Sequence, residues 1–148
     1  MSNQYQEPKG DVSERFPHSY LARKQVILIV DDDPALRKML IMMLRESNFD
    51  FLEAENGQEC LLKLARYPEI NLVLVDIDMP RMNGIQLVSV IRNQEIYARL
   101  PLIMVTARSD QKTIVAAIKT GAQDYVVKPV DKEILIQKIC KHLGSSEK

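Results

Sequence analysis

Asp31, Asp32 and Asp33 stand together in the run VDDDP, Asp76 and Asp78 in VDIDMPRMNG, Thr106 in VTAR, and Lys128 with Pro129 in VKPV. Carboxylates gathered in one place repel one another and raise at least one pKa unless a cation sits among them. A hard divalent ion resolves the conflict. Mg²⁺ takes six oxygens and usually only one or two carboxylates, so a set of this kind suits it better than zinc. A lysine beside the ion and a threonine hydroxyl add the cation and donor that a phosphoryl group needs, and a carboxylate within reach of that group can act as nucleophile. Taken singly, each residue has an ordinary explanation: an Asp as turn former or helix cap, Lys128 as a solvated amine, Thr106 as a strand residue, Pro129 as a loop proline. The set carries weight because its members follow four different apolar runs.

Those runs are VILIV (26–30), NLVLV (71–75), LPLIMV (100–105) and the shorter YVV (125–127). The first three lack polar alternation, as strands covered on both faces do. DFLEAE (50–55) alternates, as an edge strand would. Between the runs the spacing predicts helices. Leu36, Met39, Leu40, Met43 and Leu44 form one apolar stripe after Pro34, and further helices are expected over 58–66, 85–96, 111–119 and 132–142. Gly121 is placed to close the fourth and Asp131 to cap the fifth. Five βα units with connections suited to parallel crossovers give a doubly wound α/β sheet, whose sites gather at the carboxyl ends of the strands.

The whole chain has 148 residues, with 20 Lys plus Arg against 20 Asp plus Glu, so no bulk charge recommends nucleic acid or an anionic lipid surface as a partner. No apolar run approaches the roughly 18 residues needed to cross a bilayer, and the polar start MSNQYQEPKG is unlike a signal peptide. A cytoplasmic setting without membrane insertion is the expectation. Residues 1–24 lack apolar periodicity and read as a disordered tail, 25–143 as one domain, and 144–148 as a short C-terminal tail. Cys60 and Cys140 have no metal-ligand spacing.

The four motifs, in this order over about Gln25 to Leu143, resemble the receiver domain of two-component response regulators. The spacing of four from Asp76 to Pro80 and of eight from Asp76 to Gly84 is that family's. The resemblance implies a flavodoxin-like five-stranded sheet of order 2-1-3-4-5 with five helices. It implies that a sensor histidine kinase or phosphotransfer protein passes a phosphoryl group to Asp76, with Mg²⁺ as cofactor. Asp32 would bind the ion directly and Asp31 through water, with Asp76 and the backbone carbonyl of Asp78 as further ligands. Thr106 and the amide of Ala107 would take one phosphoryl oxygen and Lys128 another, and the Lys128–Pro129 bond would be cis. Asp33 falls outside the acidic pair as a loop or cap residue.

Further expectations follow from that resemblance. A dianion on Asp76 would draw Thr106 inward and let Tyr125 rotate from solvent towards the core. The face of the fourth helix, fifth strand and fifth helix, with Ile114, Ala117, Ile118 and Tyr125, would then meet a downstream protein, and phosphorylation-dependent dimerisation stays open. Asp78 and Arg108 border the path of attacking water, and pairing of their charges would slow hydrolysis. In this fold Cys60 and Cys140 lie on opposite faces of the sheet as free thiols. His18 is expected to be a solvated side chain and His142 a cation near a helix end. Such a chain assists its own phosphorylation and is not a turnover enzyme.

Two rivals share some of these residues. Asp76-Ile77-Asp78 also resembles the nucleophile motif of haloacid dehalogenase-like phosphatases, although there the motif comes first in the chain, Thr or Val is usual where Pro80 stands, and a cap domain is common. A receiver-like interaction module independent of phosphorylation is the other. The complete set Asp31, Asp32, Asp76, Thr106 and Lys128 speaks against it.

Overall fold

Apolar runs without polar alternation become interior strands. In the computed structural model, which describes residues 24–147, these are β1 (Gln25–Val30), β3 (Ile70–Val75) and β4 (Leu102–Thr106). β2 (Phe49–Ala54) and β5 (Asp124–Val127) form the edges. Every neighbouring pair is parallel, the doubly wound arrangement the sequence predicts, and the order β2-β1-β3-β4-β5 is the one the family resemblance implies. Among the described residues, five α-helices supply the crossovers: α1 (Pro34–Leu44), α2 (Gly57–Arg66), α3 (Gly84–Arg92), α4 (Gln111–Thr120) and α5 (Lys132–Glu147).

Because side chains alternate along a strand, each interior strand feeds two cores. Ile27, Ile29, Leu72, Leu74, Ile103 and Val105 pack with Leu40 and Leu44 of α1 and Leu135, Ile139 and Leu143 of α5. Leu28, Val30, Val73, Val75, Leu102 and Met104 pack on the other face with Cys60 and Leu64 of α2, Leu87, Val88 and Ile91 of α3, and Ala117 of α4. Cys60 is thus buried on one side of the sheet, and Cys140 is exposed on a helix of the other side. No helix among the described residues is long and apolar enough to cross a membrane.

The loops that leave the carboxyl ends of the strands are stopped by helix caps. Asp33 accepts from the amide of Ala35, with Pro34 opening α1. Asn56 accepts from Glu59, and Asn83 and Gln86 cap each other's backbone at the start of α3. Asp110 accepts from Thr113 and Asp131 from Ile134. Each cap satisfies amides that an unfinished helix turn leaves bare, typically stabilising by about 1 kcal/mol, and so fixes where each site-bearing loop ends.

Three expectations are corrected. The helix expected over 85–96 ends at Arg92, because Gln94 turns extended and a 3₁₀ turn (Glu95–Tyr97) follows. Arg92 Nη1 donates to the Tyr97 carbonyl at 2.7 Å and holds that turn against the helix end. The last helix runs to Glu147 instead of 142, so most of the expected C-terminal tail continues α5; buried Leu143 extends its apolar face. His142 is therefore not a helix-end cation. Its Nε2 lies 3.0 Å from Asp124 Oδ2, beside Lys138 Nζ at 2.9 Å from Asp124 Oδ1. The expected N-terminal tail, apart from Lys24, and His18 lie outside the described residues.

Candidate functional site

The parallel ladder does not stop where the strands do. The Asp31 amide donates to the Ala54 carbonyl at 3.1 Å, the Asp76 amide to Val30 at 3.0 Å, and the Lys128 amide to Thr106 at 2.9 Å. These bonds set Asp31 and Asp76 side by side at the sheet's centre, with Thr106 and Lys128 arriving from β4 and from beyond β5. One carboxylate oxygen from each of Asp31, Asp32 and Asp76 lies within 4.8 Å of the others. Lys128 Nζ is 3.1 Å from Asp31 Oδ2 and 3.8 Å from Asp76 Oδ1. The Lys128–Pro129 peptide is cis. Asp31, Asp76 and Thr106 are buried, while Asp32 is exposed. Asp33 spends its carboxylate on capping α1, as expected.

Two buried carboxylates share one ammonium here, and a third sits at the rim. Burial raises the Asp76 pKa above its ordinary value; Lys128 opposes the shift, Asp31 reinforces it, and a hydrogen bond with Thr106 also opposes it. The cluster is short of positive charge, and its donors are all hard oxygens. That donor set fits Mg²⁺, which favours carboxylate, carbonyl and water oxygens.

The rim is built by the β3–α3 and β4–α4 loops. The Asp78 side chain is exposed, with Oδ1 3.3 Å from Arg108 Nε, and the Arg108 Nη1 lies 4.0 Å from Asp110 Oδ1. The Arg108 amide faces Thr106 Oγ1 at 3.4 Å, and its carbonyl accepts from the Tyr125 hydroxyl at 2.6 Å. Ala107, between Thr106 and Arg108, is exposed.

Tyr125 is not where the sequence expectation put it. Instead of facing solvent before any modification, its ring is only 8% exposed in the core under α4. The Arg108 carbonyl satisfies the hydroxyl there, so the polar end has no need of water. Ala117 is also corrected: it is fully buried and cannot present a side chain to a partner, whereas Ile114 is half-buried and Ile118 is exposed.

Two contributors went unrecognised in the sequence. Gly84 was noted for its spacing alone, yet a Cβ there would collide with the Asp76 carbonyl oxygen, and its amide donates to the Ile77 carbonyl at 2.8 Å. Any side chain at 84 pushes directly on the strand end that carries Asp76. Arg37 Nη1 donates to the Asp31 carbonyl at 2.6 Å, and Arg37 Nε to Glu53 Oε1 at 2.8 Å. The available signal was a basic residue one turn into α1 together with an acidic one near the end of the edge strand.

The family model of the response regulator receiver domain matches residues 27–140. The chain is 34% identical over 120 residues to the chemotaxis protein CheY homolog of Campylobacter jejuni, covering 80% of this chain and 92% of that protein. It is 32% identical over 122 residues to chemotaxis protein CheY1 of Helicobacter pylori, covering 82% and 98%. Among solved structures, the CheY-like response regulator receiver domain protein from Methanospirillum hungatei JF-1 aligns with a TM-score of 0.75 at 31% identity, over 84% of this chain and 97% of that one.

Proposed function

The chain belongs to the response regulator receiver domain family of two-component signalling, and from that premise we propose that Asp76 accepts a phosphoryl group from a phosphohistidine. The donor is a sensor histidine kinase or a phosphotransfer protein. An Asp76 carboxylate oxygen attacks phosphorus, the P–N bond breaks, and its electron pair returns to the donor imidazole. Lys128 takes one phosphoryl oxygen, and the Thr106 hydroxyl with the Ala107 amide takes another. Asp32 and Asp76, the Asp78 carbonyl, and Asp31 through water would hold Mg²⁺. That ion, when bound, neutralises the crowded carboxylates and the incoming phosphoryl charge. The observation that carries this reading is the buried Asp76 carboxylate set between Asp31 and Lys128.

The chain takes one phosphoryl group per molecule and does not turn substrate over. The receiver runs from Gln25 through α5, acting in the cytoplasm without contacting nucleic acid. A new dianion draws the Thr106 hydroxyl away from the Arg108 amide. Because the Tyr125 hydroxyl rests on the Arg108 carbonyl, the switch passes through this loop, with Tyr125 already inward. The changed face is α4–β5–α5, where Val115, Ile118, Val127 and Ile134 are exposed apolar residues that would meet a downstream protein. Phosphorylation-driven dimerisation would use the same face.

The test is incubation of the full chain with acetyl phosphate and Mg²⁺, followed by mass spectrometry of the Asp76 peptide. A single phosphoryl adduct is expected, absent in Asp76→Asn. No adduct on a folded chain would overturn the reading, and sustained turnover of phosphate esters would favour the haloacid dehalogenase-like alternative.

A further inference from the structure

We propose that Arg37, oriented by Glu53, is a positioning residue that fixes the peptide plane from which Asp32 reaches the Mg²⁺ site. The inference rests on the reading of Asp31, Asp32 and Asp76 as ion ligands.

The ladder between β1 and β2 ends with the Asp31 amide on Ala54, the last residue of β2. No strand residue lies beyond it to donate to the Asp31 carbonyl. Arg37 fills that place, with Nη1 2.6 Å from the carbonyl oxygen and Nε 2.8 Å from Glu53 Oε1. Its side chain is 14% exposed, and that of Glu53 46%. Two bonds to separate partners immobilise a planar guanidinium in a way that a flexible ammonium cannot match. Glu53 is itself held, since Lys63 Nζ donates to its carbonyl at 2.8 Å. Arg37 thus ties the turn after β1 to the end of β2, and through it to α2.

The atom gripped is the informative part. The Asp31 carbonyl and the Asp32 amide belong to one peptide plane, so a fixed oxygen fixes the direction in which the Asp32 Cα leaves the strand. Asp31 has independent anchors on its own carboxylate, from the Asp33 amide at 2.9 Å and from Lys128 at 3.1 Å. Asp32 has none: it is exposed, and among the described residues no donor reaches its carboxylate. Its aim is set by backbone alone.

Electrostatics and positioning predict opposite signs, which makes the idea testable. A guanidinium near a cation site repels the cation, so loss of the charge alone would tighten Mg²⁺ binding. Loss of the anchor would weaken it, and partners that orient metal ligands commonly matter by about tenfold or more in affinity. The experiment is calorimetric titration of Mg²⁺ into the full-length chain and its Arg37→Met and Arg37→Lys variants, with folding checked by circular dichroism. Weaker binding by about tenfold is expected for Arg37→Met, and by about threefold for Arg37→Lys, which keeps the charge but lacks the fork. Equal or tighter binding in folded Arg37→Met overturns the proposal. If that variant does not fold, Arg37→Lys decides, and wild-type affinity there overturns it. Failure of the wild-type chain to bind Mg²⁺ overturns the ion reading as well, whereas normal wild-type binding with unaltered variants removes only the role of Arg37.

Discussion

Asp76 carries a charge that the fold disfavours. Burial first, then the neighbouring Asp31, raise its pKa above the ordinary 3.8, against the pull of Lys128. A folded-state pKa above the unfolded one means that protonation favours the fold. This contribution is complete below the ordinary value and is lost as pH rises through the folded value, above which the chain holds an unfavourable anion. Asp76→Asn is therefore expected to raise the melting temperature by about 2–4 °C at pH 7 without divalent cations, with the gain shrinking towards pH 4. Scanning calorimetry showing a loss of stability at pH 7 would contradict the charge argument. At the rim, the half-exposed Asp78–Arg108 pair at 3.3 Å is expected to impede attacking water. Exposed pairs are worth about 0.2–1 kcal/mol, so Asp78→Ala and Arg108→Ala should each shorten the phospho-Asp76 half-life by about 1.4- to fivefold. Unchanged decay of the labelled protein in both variants would remove the pair from the mechanism. The gathering of Asp31, Asp32, Asp76, Thr106 and Lys128 was legible because each follows an apolar run and a parallel sheet brings all such ends to one edge. Gly84 and Arg37 were not, since what they touch are the carbonyl oxygens of Asp76 and Asp31, and backbone atoms have no letter in a sequence.

At the scale of elements, the apolar runs and stripes located the five strands and five α-helices among the described residues but misjudged ends that depend on tertiary bonds. α3 stops where the Arg92 side chain turns back to Tyr97, and α5 continues where Leu143 still finds core. The less visible tie is between β5 and α5. Asp124 accepts from Lys138 at 2.9 Å and lies 3.0 Å from His142, while Lys138 also donates to the Tyr125 carbonyl at 2.8 Å. Burial alone would raise the Asp124 pKa, but the bonds from Lys138 and His142 outweigh it and hold the group below its ordinary 3.8. A depressed folded-state value contributes stability above the ordinary pKa that is lost as pH falls through the folded one. Asp124→Asn should cost on the order of 1 kcal/mol at pH 7, and the deficit should vanish at acid pH. Urea unfolding at both pH values measures it, and an equal deficit at both would show that packing, not charge, is at stake.

For the molecule as a whole, the two thiols report on how completely the sheet is sheathed. Burial pushes the Cys60 thiol up to about 12, and the residue is 0% exposed, so neither thiolate nor access is available in the native state. Cys140 is exposed on α5. A thiol reagent at pH 8 is expected to add one label to the native chain, at Cys140, and a second only in denaturant. Rapid double labelling without denaturant would mean that the α2 side of the core opens readily.

The contact between Lys128 and Asp31 spans 97 positions along the chain. A ribosome therefore exposes the acidic turn 97 residues before it supplies the neutralising amine. Until then the aspartates lack both the Thr106 hydroxyl and the Lys128 ammonium that balance them in the folded chain. The pair can close only once both ends of that interval are made, and a product cut after Asp76 but short of Lys128 would keep the carboxylate without the ammonium proposed to assist its phosphorylation.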